Sequence, residues 1–256
     1  MLNDLNLAPR FKAALIHLGL SMCAACVVVA VVFGVWYAPP WAQSLGVSSI
    51  FLMILGVDLC LGPLLTAVVY KVGKSSLKFD LSVIVLLQLL ALGYGLVTVA
   101  AARPAYLVFT VDRFDLVQAH EVYESGGTAE KPTLTALSPW LQPWWGAQTT
   151  AAEMPTRGAL TSALAQTAMS GGPDVPNLKN QHREYATVIA VVQRTAVPLT
   201  QLKPAHQALN DQLRTIIGQY PAGSVALPIK VKFTVLTAIL NPSTGALLGI
   251  EPIDLF

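Results

Sequence analysis

Few residues in this chain combine a reactive side chain with a setting that would give it work. Asp58 stands out, because it is the only acidic residue within the apolar run 49–70. A lone carboxylate near the middle of a membrane costs ~2.5–3.5 kcal/mol on insertion scales, so it must carry a proton or meet a polar partner. His17 sits in a second apolar run, 13–36. It is either a titrating group or a ring resting its polar edge at the end of the run. Cys23-Ala24-Ala25-Cys26 has C-x-x-C spacing, but redox chemistry wants it at a helix N-terminus beside a sheet. In mid-run it reads as a small-residue packing face. His120-Glu121-Val122-Tyr123-Glu124 is one residue away from H-E-x-x-H, and a zinc site needs the second His and a further ligand. Only His182 and His206 follow it. Ser75-Ser76-Leu77-Lys78 contains S-x-x-K without the companion S-D-N or K-T-G elements. No G-x-S-x-G, P-loop or dinucleotide fingerprint occurs. The expectation is a chain with no catalytic residues, no metal and no cofactor.

The elements that must hold Asp58 and His17 are three long apolar runs, 13–36, 49–70 and 81–102. Together they contain one Asp, one His and no Lys, Arg or Glu. About 20 apolar residues suffice to cross a hydrocarbon core, and a helix satisfies its own backbone there. The mean hydropathy is +0.58 and only 12% of the 256 residues are charged, against roughly 25% in ordinary soluble domains. The first run is longer than a cleavable signal core. Leu20-Ser21-Met22-Cys23 departs from a lipobox at Met22, where a small residue is required. The run therefore reads as a retained span. All three cysteines lie in the runs, so the rest of the chain must fold without disulfides.

Charge sets the expected orientation. Arg10 and Lys12 precede the first run, loop 37–48 is uncharged, and loop 71–80 carries Lys71, Lys74 and Lys78. By the positive-inside rule, residues 1–12 and the lysine loop are cytoplasmic. The division is then a cytoplasmic N-terminus (1–12), a three-helix transmembrane domain (13–102) and a periplasmic α+β domain (103–256). Trp36, Tyr37 and Trp41 fall where an interfacial aromatic belt would lie. Positions 103–256 hold eleven basic and eleven acidic residues, which argues against a nucleic-acid partner.

The α+β domain is expected to contain an antiparallel sheet. Tyr106–Val117 reads as one strand, with Asp112, Arg113 and Asp115 on its solvent-facing edge. Residues 157–169 and 204–220 read as helices, the second with a stripe of Leu209, Leu213, Ile216, Ile217 and Tyr220. Ile229, Val231, Phe233, Val235, Thr237 and Ile239 read as one strand face, followed by a turn at Asn241–Gly245 and a returning strand 246–250. Trp140, Trp144 and Trp145 crowd a Pro-rich stretch, either as an outer interaction loop or packed back on the core.

Depth along the spans nominates partners for Asp58. At ~1.5 Å per residue, Asp58 lies roughly 18 Å from the cytoplasmic side, Tyr94 roughly 20 Å, Ser21 roughly 12 Å and Gln88 roughly 10 Å. Tyr94 matches best, with Gln88 and Ser21 in reach of a long side chain. Two readings stay open for Asp58: contact with a polar group on a partner helix, or a hydrogen bond within the three-helix unit. Gly56, Asp58, Gly62, Pro63 and Thr66 are the candidate contact residues for a partner helix. Asp58, Gly62 and Thr66 share one side at spacings of four and eight.

A distinctive pattern runs through His17-Leu18-Gly19, Trp36-Tyr37, Gly56-Val57-Asp58-Leu59 and Leu61-Gly62-Pro63-Leu64-Leu65-Thr66. It continues in Lys74–Ile84, Leu87-Gln88-Leu89, Tyr94-Gly95, Arg103-Pro104 and Val108–Phe114. Over about residues 11–117 this resembles the TfpX/TfpZ family of type IV pilin accessory proteins. The family's Pro-Gly-Pro element after the Trp-Tyr pair is replaced by Ala38-Pro39-Pro40, and residues 118–200 match weakly. The resemblance implies a non-enzymatic role at the bacterial inner membrane, stabilising or presenting a cognate pilin for assembly. The implied partners are the pilin, membrane lipid and other pilus-assembly components. The alternatives are a membrane enzyme acting on pilin or envelope substrates, and a membrane-anchored scaffold or sensor unrelated to pili.

Overall fold

The computed structural model describes residues 7–37, 39–123, 148–152, 173–204, 206–232 and 234–256, together with a few positions between 158 and 169. Two compact units emerge: residues 1–36 with 46–100, and residues 37–45 with 101–256.

The first unit is built from three helices, each long and apolar enough to cross a membrane. Helix α1 (Leu7–Val31) continues through a π-helical turn, Val32–Trp36. A short helix α2 (Trp41–Ser44) belongs to the second unit. Helices α3 (Val47–Val69) and α4 (Leu77–Ala101) complete the first. Gly46, in the left-handed region at φ 67°, precedes α3, and Pro63 lies inside it. Helices α1 and α3 pack along their length, with Phe33 edge-on to Phe51 at 5.5 Å between ring centroids. Helix α4 approaches either neighbour only at isolated positions, one of them where Gly95 faces Ile54. Large apolar side chains, among them Val27, Leu61, Leu86 and Leu90, point outward. That inside-out arrangement suits a hydrocarbon surround.

The second unit is a mixed sheet rather than the expected antiparallel one. Its strands among the described residues are β1 (Pro104–Phe109), β2 (Phe114–Gln118), β3 (Gln148–Ala152), β4 (His182–Glu184), β5 (Val197–Pro198), β6 (Val225–Val231), β7 (Thr234–Leu240) and β8 (Leu247–Glu251). The order is β4-β3-β1-β2-β6-β7-β8, with β5 on β6. The β1–β3 and β2–β6 pairs are parallel, and both join strands far apart in sequence. Two further helices, α5 (Ile189–Thr195) and α6 (Gln207–Gln219), accompany the sheet. Leu213 and Ile216 of α6 pack with Leu199, Ala226, Ile239 and Leu255. Part of the expected 157–169 helix lies outside the described residues.

Two strands expected as single elements are hairpins. Tyr106–Val117 folds back at Thr110–Arg113, so that Phe109 pairs with Phe114. Asp115 is consequently not on a solvent edge. It is 8% exposed and accepts from the Thr110 hydroxyl at 2.9 Å and from Arg113 Nε at 3.4 Å. Burial pushes this carboxyl above its ordinary range, against the opposing pull of Arg113. The run 229–239 likewise turns after Val231, which pairs with Thr234. A two-residue loop reverses the parity of alternation, because paired residues share a face. Ile229 and Val231 therefore share a face with Leu236, while Val235, Thr237 and Ile239 lie on the other. Phe233 lies outside the described residues.

The last hairpin matches expectation. Asn241 Oδ1 accepts from the N–H groups of Ser243 and Thr244 at 2.9 and 3.0 Å, and Gly245 takes φ 68°. Trp36, Tyr37 and Trp41 are buried within the protein rather than displayed as a belt.

Candidate functional site

Four polar side chains of the first unit meet at one place. His17 of α1 lies with Nδ1 2.6 Å from Thr66 Oγ1 of α3 and Nε2 2.7 Å from Gln88 Oε1 of α4. The Gln88 amide nitrogen donates to the Asp58 backbone carbonyl at 3.1 Å and to Asp58 Oδ1 at 3.2 Å. One chain of hydrogen bonds thus ties all three helices together. For Gln88 Oε1 to accept, His17 Nε2 carries the proton; Nδ1 then accepts from the Thr66 hydroxyl.

Local sequence explains the geometry. Asp58, Gly62 and Thr66 are one helical turn apart on α3 and line up along its inner side. Gly62 is buried, and a Cβ there would overlap the Gln88 side-chain amide. Glycine is what lets the amide lie against the α3 backbone and reach Asp58. Thr66 is 2% exposed, its hydroxyl turned to His17 rather than outward.

Beside this bridge runs a groove of about 590 Å³ between the helices. Lys12 and Tyr70 stand at one end, Leu55 and Leu92 towards the other. Ser21, Asp58 and Gln88 contribute polar atoms along it. Among the described residues no protein group reaches the second carboxylate oxygen of Asp58, Oδ2.

The site residues nominated from sequence divide accordingly. Asp58 and Gln88 are brought together, and Gly62 and Thr66 are drawn into the same bridge. Ser21 lines the groove. Tyr94 is 78% exposed and turned away, since six residues from Gln88 is about 240° around the helix. Gly56 faces open space and Pro63 is half-buried. Trp140, Trp144 and Trp145 lie outside the described residues. Depth along the spans does not nominate His17 as a member of this bridge, although its place on the same polar level as Thr66 and Gln88 is a usable signal.

The other reactive-looking motifs do local structural work. Glu121 accepts from the Gln118 N–H at 3.2 Å, and the His120 ring lies 3.1 Å from the Ala101 carbonyl. Ser76 donates to Asp80 at 3.1 Å, and Lys74 pairs with Asp80 at 2.6 Å.

A three-helix unit tied by partly buried polar side chains, followed by a mixed-sheet domain, is the architecture that the sequence relationships must fit. The family model described as "Fimbrial assembly protein FimB" matches residues 5–46, which take in α1 and α2. Three proteins of Dichelobacter nodosus align over 113 residues, or 43% of this chain. The fimbrial assembly protein of serogroup I is 34% identical, and the aligned stretch spans 44% of its length. That of serogroups C1 and C2 is 33% identical over 86% of its length, and that of serogroup E1 is 33% identical over 44%. The chain belongs to the fimbrial assembly protein family. No solved structure matches it.

Proposed function

We propose that this chain is a non-enzymatic accessory protein of type IV pilus biogenesis, of the TfpX/TfpZ kind, that stabilises or presents a cognate pilin at the bacterial inner membrane. The observation that carries the reading is the sequence shared with fimbrial assembly proteins, which spans 86% of one of them. In this reading α1, α3 and α4 cross the membrane, with the N-terminus and the Lys71–Lys78 loop in the cytoplasm and the mixed-sheet unit in the periplasm. The basic residues flanking the helices support that orientation. A pilin held in the same membrane by one apolar helix would meet the three-helix unit there. The sheet unit would meet the part of the pilin outside the membrane.

The role asks for gripping surfaces rather than reacting groups, and the polar side chains His17, Thr66, Gln88 and Asp58 hydrogen-bond one another across the helices of the first unit. The test is deletion of the gene with separate measurement of surface pili and total pilin. Loss of pili, with or without loss of pilin, is the expected outcome. Unchanged piliation and unchanged pilin would overturn the reading.

A further inference from the structure

The sequence offers Gly56, Asp58, Gly62, Pro63 and Thr66 as contact residues for a partner helix, with Asp58, Gly62 and Thr66 on one side, but the structure divides that set. Gly62 and Thr66 are consumed internally: one makes room for the Gln88 amide and the other binds His17. Asp58 is only half consumed. Its Oδ1 and its backbone carbonyl take the Gln88 amide, while Oδ2 has no hydrogen-bond partner among the described residues, and Asp58 lines the groove. The His17–Gln88 link fixes the Gln88 amide with its nitrogen towards Asp58, and so holds the carboxylate in one orientation.

We infer that the groove between α1, α3 and α4 seats the apolar helix of the pilin, and that this helix presents one hydrogen-bond donor to Asp58 Oδ2. The inference rests on the pilin-accessory reading and names the contact within it. The groove is mostly apolar, which fits a spanning helix. Asp58 lies 12 residues from Tyr70 along α3, roughly 18 Å from the basic end at ~1.5 Å per residue. A lipid acyl chain has no donor at that depth and would leave the carboxylate oxygen unmatched in hydrocarbon. A helix can carry a donor there, and interhelical hydrogen bonds of this kind favour association in membranes.

The substitution that isolates the contact is Asp58→Asn. The new side chain keeps a carbonyl oxygen for the Gln88 amide but turns an NH₂, a donor, to the groove. A photo-reactive residue at Leu92, which lines the groove, reports the occupant in living cells. One at Leu90, on the opposite side of α4, is the control. Pilin adducts are expected from position 92 and not from 90. In the Asp58→Asn chain, at matched protein level, the adduct should fall about threefold to tenfold, the span of one such hydrogen bond. Adducts at 92 with lipid only, equal pilin adducts at 90 and 92, or an unchanged yield with Asp58→Asn would each overturn the inference. Loss of pili on gene deletion alongside any of these would leave the accessory role standing and remove only the groove contact.

Discussion

The two units are built on opposite terms. In the sheet unit the strands bury apolar side chains on both faces: Leu236, Ala238, Ile239 and Leu240 of β7 are all enclosed. Polar pairs add to that core, as where Tyr220 donates to Glu251 Oε1 at 2.7 Å beside Gly249. In the helical unit the large apolar side chains point outward, and the hydrogen bonds linking α1, α3 and α4 are those of His17, Thr66, Gln88 and Asp58. Water drives the first arrangement, because removing apolar area from it is favourable. Lipid gives no such gain between helices, so close packing and hydrogen bonds must join them. Two kinds of adhesive therefore operate within one chain, and each should fail under a different kind of substitution.

The largest effect is expected from a cavity in the sheet unit. Ile239→Ala, at a fully enclosed position against α6, should cost about 2–5 kcal/mol, read as a lowered unfolding midpoint of the purified chain in detergent. In the helical unit the damaging change is added volume. Gly62→Leu drives a side chain into the Gln88 amide and should cost about 1–3 kcal/mol, whereas Gly56→Leu enters open space and should cost little. The same unfolding assay separates them. Equal destabilisation by the two would mean that the bridge does not organise the unit.

The smallest effects concern pH and belong to the sheet unit. His182 donates through Nε2 to the Pro176 carbonyl at 2.7 Å, and burial depresses its affinity for a proton. Its contribution is present above the ordinary value of 6.5 and lost as pH falls through the lower folded-state value. Asp115 has the opposite sign. Its folded-state value is raised above 3.8, so its contribution is present below 3.8 and lost as pH rises through the raised value. Replacing His182 by Gln should flatten the mildly acidic limb of the stability–pH curve, and Asp115→Asn the more acidic one. Curves indistinguishable from the parent would mean that neither group titrates as its burial requires.

The helical unit was legible in the sequence because its signal is long and uniform: three apolar runs interrupted by one Asp and one His. What depth along a span cannot give is direction around it. Tyr94 and Asp58 share a depth, but Tyr94 lies on the far side of α4, and Gln88 reaches the carboxylate by length. The sheet unit was harder for a related reason. Period-two alternation runs through the turn after Val231, and neither that turn nor the one at Thr110–Arg113 contains Gly, Pro or Asn. The parallel pairs β1–β3 and β2–β6 join strands that no local pattern links. The helix at 207–219 and the Asn241–Gly245 turn were legible because a single amphipathic stripe and an Asn/Gly turn are complete local signals.

On this view the helical unit acts through its groove and the carboxylate of Asp58, and does more than anchor the sheet unit. Surface pili counted in cells whose only copy of the gene carries Asp58→Asn put that to the sharpest test, with chain level matched to the parent. A several-fold fall in pili at unchanged chain level is predicted, because the bridge to Gln88 survives while the acceptor facing the groove does not. Full piliation by that variant would contradict it.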